Sequence, residues 1–92
     1  MNVSISGLNK AEVLVALYNH SRSQGLGVFM DGGQAMSPEA ASQLLKGRSR
    51  FDYVGGRVLK VDLSGDDFDP YLYDRDNGNG AAQRVINNLR KE

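Results

Sequence analysis

The chain contains no cysteine and a single histidine. The first absence excludes a disulfide framework and a thiolate metal site, and one histidine cannot build a zinc site without carboxylate help. Net charge is missing too, because eleven Lys and Arg side chains are balanced by eleven Asp and Glu. That balance removes the overall positive field on which nonspecific nucleic-acid binding depends, so no nucleic-acid partner is expected. The chain is equally unlike a polyanionic mimic of DNA. No hydrophobic run approaches membrane-spanning length. The amino-terminal MNVSISGLNK has neither the apolar core of a signal peptide nor a basic leader, so the expectation is a cytoplasmic protein.

What is present fits one domain over residues 1–92, with 40% hydrophobic residues. A fold of this size hides roughly 60% of its unfolded surface, which leaves little room for a deep active-site cavity. Residues 3–6, VSIS, alternate apolar and polar as a short strand does. Asn9 is then a helix cap, with Glu12 three residues on and Leu8 and Val13 at staple positions. That helix runs to about Ser23, with Leu14, Leu17, Tyr18 and Ser21 on one face and Gly25 as its stop. The apolar run LGVFM, residues 26–30, reads as a strand closed by Gly32-Gly33. Ser37-Pro38-Glu39 is the strongest helix start in the chain, combining a capping hydroxyl, a proline pre-set for the first turn and an acid that complements the dipole. The helix that follows buries Ala41, Leu44 and Leu45 and ends at Lys46-Gly47.

FDYVGGRVLKVDLS, residues 51–64, reads as a β-hairpin around Gly55-Gly56. A two-residue turn would set Val54 opposite Arg57 and split the apolar residues between two faces. A three-residue loop over residues 54–56 instead groups Phe51 and Tyr53 with Leu59, Val61 and Leu63, and this register is expected. The last helix is expected to begin near Asn79 or Gly80, with Ala82, Val85, Ile86 and Leu89 packing across the hairpin. The expected architecture is a compact α+β domain of order β-α-β-α-β-β-α, with helices on one face of a small mixed or antiparallel sheet.

Neutrality hides two opposed segments. Five basic residues and one acid lie between Lys46 and Lys60, whereas six aspartates and one arginine lie between Asp62 and Asp76. The second segment also carries tyrosines, which bring large contact area at low entropy cost. Asp66, Asp67, Asp69, Tyr71, Tyr73, Asp74, Arg75 and Asp76 are therefore the expected partner-binding residues, and Phe68 is expected to pin the strip to the core. Against this stands a solvated loop neutralised by Arg48, Arg50 and Arg57.

Asp74-Arg75-Asp76-Asn77-Gly78 opens like a calcium loop, but the register then puts Gly78 and Val85 where ligands belong, so no metal is expected. A second reading gives the start of the last helix an anion site built from the backbone at Asn77, Gly78, Asn79, Gly80 and Ala81, with Arg75 or Arg84 assisting. The spacing is neither a P-loop nor a dinucleotide fingerprint. In the same place, Asp74 and Asp76 would fill such a nest themselves as internal caps. His20 falls near the end of the first helix, where an imidazole complements the dipole; no nucleophile or acid is placed beside it, and no cofactor is expected.

The segments ISGLNKAEVLVALYN and FDYVGGRVLKVDLSGDDFDPYLYDRDNGNGAA resemble those of short uncharacterised bacterial and prophage-type proteins. The resemblance covers most of the chain and implies no catalytic residue. What it implies by analogy is a small accessory protein that binds a host or defence component. The expectation is thus a non-catalytic interaction protein of unidentified partner, and the alternative is a nucleotide or phosphate binder at the last helix. An exposed sheet edge would also be available for a homodimer.

Overall fold

The computed structural model describes residues 2–23, 36–46, 50–54 and 58–91, and for 50–54 and 58–60 the backbone alone. Its first strand, β1 (Val3–Ser4), belongs to the alternating stretch: Val3 and Ile5 are buried, while Ser4 and Ser6 are exposed. Gly7, at a φ of 81°, then turns the chain, and the Leu8 amide returns to the Ile5 carbonyl at 3.1 Å. Asn9 caps α1 (Lys10–Ser23), its Oδ1 accepting from the Ala11 amide at 2.8 Å and from Glu12 at 3.4 Å. Val13, Leu14, Leu17, Tyr18 and Ser21 are buried along this helix, the face that the 3.6-residue period selects.

Gly25, the run 26–30, the Gly32-Gly33 turn and Gly47 lie outside the described residues. Beyond them, Asn19 of α1 receives the chain: its Oδ1 accepts from the Met36 amide at 2.9 Å and its Nδ2 donates to the Met36 carbonyl at 3.3 Å. One residue later Ser37 caps α2 (Pro38–Leu45), its hydroxyl accepting from the Ala40 amide at 3.2 Å. Ala41 is fully buried, and Leu44 and Leu45 pack partly buried against the core.

The hairpin strands are β2 (Arg50–Val54) and β3 (Val58–Asp62). They are antiparallel, with Phe51 opposite Val61, Tyr53 opposite Leu59 and Val54 opposite Val58. The two-residue register is thereby excluded and the expected grouping of odd-numbered residues is kept. The intervening residues are 55–57, one position later than expected, so each pair is displaced by two residues along the partner strand.

Two elements were not legible as such. β4 (Asp67–Phe68) pairs antiparallel with β1, Val3 opposite Phe68 and Ser4 opposite Asp67. Immediately after it, α3 (Tyr71–Asn77) winds the stretch read as an acidic loop into a helix. The last helix, α4 (Ala81–Arg90), begins one residue after Gly80.

α1 packs on α2 and on α4, α4 also meets α3 and β1, and α3 lies against β3. It is therefore α3, and not the last helix, that provides the principal cover of β3. The buried apolar side chains form one cluster to which β1, α1, α2, β3, β4, α3 and α4 all contribute. The result is a small α+β domain whose described strands form two separate antiparallel ladders, β1–β4 and β2–β3, where a single sheet was expected.

Candidate functional site

The strip from Asp66 to Asp76 begins as extended chain. The Asp66 carbonyl accepts from the Ile5 amide at 2.7 Å, which ties the strip to β1. Along β4 successive side chains alternate, so Asp67 faces solvent while Phe68, 3% exposed, enters the core. This is the pinning role expected for Phe68. Asp66 and Asp69 are exposed as well. The Asp69 carboxylate accepts from the Tyr71 amide at 2.9 Å and so starts α3. Asp69-Pro70 repeats the grammar of Ser37-Pro38, a side-chain acceptor followed by a proline, and is the signal by which this helix could have been found.

Helix formation separates the two tyrosines. On an extended loop Tyr71 and Tyr73 would share a side, but at 3.6 residues per turn they stand about 200° apart around the axis. Tyr71 is 63% exposed, whereas Tyr73 is fully buried. Tyr73 therefore cannot offer contact surface to a partner. Its hydroxyl donates to the Leu17 carbonyl of α1 at 2.9 Å. Burial pushes its pKa up from 10.0 to about 12, with the Ser21 hydroxyl pulling it down and the Asp74 charge adding to the rise.

Asp74 is engaged internally. Its Oδ2 accepts from the Gly80 amide at 3.2 Å and its Oδ1 from the Ala82 amide at 3.0 Å. Gly78 donates to the Asp74 carbonyl and Ala81 to the Gly78 carbonyl. The Gly78, Gly80 and Ala81 amides of the expected anion nest are thus already donating within the chain, and an incoming phosphate would have to displace a carboxylate. The internal-cap alternative is the arrangement seen for Asp74, whereas the Asp76 carboxylate pairs with Arg75. Arg84 reaches the Asn79 carbonyl through Nη1 at 3.1 Å, and Arg75 pairs with Asp76 at 3.3 Å. The Asn77 side chain is buried, its Nδ2 donating to the Tyr73 carbonyl at 2.9 Å. The sequence Asp74 to Gly78, compared above with a calcium loop, is the second half of a helix, and its carboxylates face α4 and Arg75. Among the described residues, no group of three His, Asp or Glu side chains could hold a metal ion.

Between α1 and α3 runs a buried polar seam. The imidazole of half-buried His20 lies 6.4 Å from the Tyr73 ring, centre to centre, and its Nε2 has no hydrogen-bond partner among the described residues. Ser21 of α1 and Asn77 of α3 are also buried polar residues of these two helices. The Tyr73–Leu17 hydrogen bond links the two helices here, and among the described residues no hydrogen bond joins His20 to a carboxylate.

What faces outward is consequently Asp66, Asp67, Asp69 and Tyr71, with Arg75 beside them. Tyr71, Asp74, Arg75, Gly78 and Asn79 line an open depression of about 460 Å³ where α3 turns into α4. A second open depression, about 410 Å³, lies among Glu12, Val15, Ala16, Pro38 and Leu89, away from the strip. No described helix is long and apolar enough to cross a membrane. The chain matches no family model, no curated protein and no solved structure, so its own residues carry whatever is said of its function.

Proposed function

We propose that this chain is a non-catalytic protein-interaction domain, and that it recognises a basic partner through Asp66, Asp67, Asp69 and Tyr71. The observation that carries the reading is Tyr71. It is 63% exposed at the end of three exposed carboxylates, while Tyr18, Phe68 and Tyr73 are buried. A ring left outside a fold that buries its neighbours is the kind of anchor that interfaces use, and surrounding charge adds association rate and selectivity. The open depression behind Tyr71 would receive a side chain of the partner.

The test compares capture by the native chain with capture by the combined variant Asp66→Asn, Asp67→Asn, Asp69→Asn, Tyr71→Ala. Asparagine at 69 keeps an acceptor for the Tyr71 amide, so α3 should persist. Gln43→Ala, a change at an exposed position of α2, serves as the control. A protein retained by the native chain and by the control, but lost by the combined variant and weakened by salt, supports the reading. Equal retention by the combined variant contradicts it.

A further inference from the structure

The two Asn-Gly dipeptides, Asn77-Gly78 and Asn79-Gly80, follow one another at the junction of α3 and α4. Asparagine before glycine is chemically vulnerable. The glycine amide nitrogen can attack the asparagine Cγ; an N–Cγ bond forms, the Cγ–Nδ2 bond breaks, and ammonia leaves carrying the amide proton. Water then opens the resulting succinimide at either carbonyl, yielding aspartate or isoaspartate. Glycine permits the ring because no Cβ obstructs its backbone. The reaction requires only water, a side chain free to swing and an amide free to leave its hydrogen bond.

The structure treats the two sites oppositely. Asn77 ends α3, is 7% exposed, and has its Nδ2 held by the Tyr73 carbonyl at 2.9 Å. The amide that would attack it, Gly78, donates to the Asp74 carbonyl at 2.8 Å in the helical i to i−4 pattern. Cyclisation at Asn77 must therefore break two hydrogen bonds and pull a buried side chain outward. Asn79 lies in the turn between the helices and is exposed, and its side-chain amide forms no hydrogen bond among the described residues. Its neighbour Gly80 is restrained by one longer bond, 3.2 Å to the Asp74 carboxylate.

We infer that Asn79 is a spontaneous deamidation site and that the fold protects Asn77. The products differ in consequence. Aspartate at 79 adds a carboxylate next to Arg84, whose Nη1 already binds the Asn79 carbonyl. Isoaspartate inserts a methylene into the main chain directly before Gly80, the residue whose φ of 79° and bond to Asp74 set the start of α4. Asn79 also lines the depression beside Tyr71, but its conversion needs no partner there.

The experiment incubates the folded protein at mildly alkaline pH and follows it by tryptic mapping. Cleavage after Arg75 and Arg84 releases one peptide, residues 76–84, that contains both asparagines. Electron-transfer fragmentation then assigns each conversion and separates isoaspartate from aspartate. In the folded chain Asn79 should convert at least about tenfold faster than Asn77, equivalent to about 1.4 kcal/mol of barrier. In urea the two rates should converge, and Asn79→Gln should remove the fast conversion from the folded protein. Equal rates at the two sites in the folded chain, or a fast conversion that survives Asn79→Gln, would overturn the inference.

Discussion

Asp74 of α3 and Ala82 of α4 are joined by a hydrogen bond of 3.0 Å from the Ala82 amide to the carboxylate. A helix start leaves its first amides without partners and ordinarily takes a cap from the residue just before it. Gly80 stands in that position and has no side chain to offer. The cap is supplied from the preceding helix, which locks α3 and α4 into one corner. Asp74→Ala should lower unfolding free energy by about 1–2 kcal/mol, the upper range for a lost cap. Asp74→Asn, which keeps an acceptor, should lower it by less. Urea midpoints at unchanged slope measure both.

Tyr73 provides a pH dependence with a defined sign. Its folded pKa, about 12, lies above the unfolded 10.0, because burial favours the neutral phenol. Between those values the unfolded chain binds fewer protons than the folded one, so stability falls as pH rises. The contribution is fully present below pH 10 and should shrink by about 2 kcal/mol on reaching pH 12. Tyr73→Phe should lose about 1 kcal/mol at neutral pH through the missing bond to Leu17. Its stability curve between pH 10 and 12 should be flatter than that of the native chain; parallel curves would show that Tyr73 is not the group responsible.

Asn19 and Met36 are paired in both directions, donor and acceptor on each side. Alanine at 19 leaves the Met36 amide and carbonyl without this partner where the chain enters α2. The expected loss is about 1–3 kcal/mol, two hydrogen bonds at their usual net value. Amide exchange at Met36 should accelerate together with the drop in thermal midpoint.

Two glycines at similar φ make an internal comparison. Gly7, at 81°, has nothing within 4 Å of an added Cβ, whereas at Gly80, at 79°, that carbon would stand 3.2 Å from Arg84 Nη1. Gly7→Ala should cost about 1–2 kcal/mol, the left-handed penalty alone. Gly80→Ala should cost more, because the guanidinium must also move. Thermal unfolding of the two variants decides it.

Leu14→Ala should cost about 2–5 kcal/mol, since Leu14 is fully buried in the core cluster. Tyr71→Ala should stay within about 0.5 kcal/mol. The contrast matters for the binding test, because it predicts that Tyr71 can be removed while the fold remains.

The features legible from sequence were those whose cause is local. Asn9 capping α1, Ser37-Pro38 starting α2, and the apolar period of Ala82, Val85 and Ile86 each depend on residues within a few positions. The hairpin grouping followed from period-2 alternation, which constrains the face and leaves the turn free to slide by one residue. Tertiary structure decided what α3 is. Tyr71 to Asn77 is a short run rich in tyrosine and aspartate, with weak intrinsic helix preference, and becomes helical where Tyr73 reaches the Leu17 carbonyl and Asp74 reaches the amides of α4. That winding buried Tyr73, consumed Asp74 and left Tyr71 outside. The chain's composition specified an acidic, aromatic segment; which of its members face solvent was decided by contacts such as that of Tyr73 with Leu17, 56 residues away, beyond the reach of any local pattern.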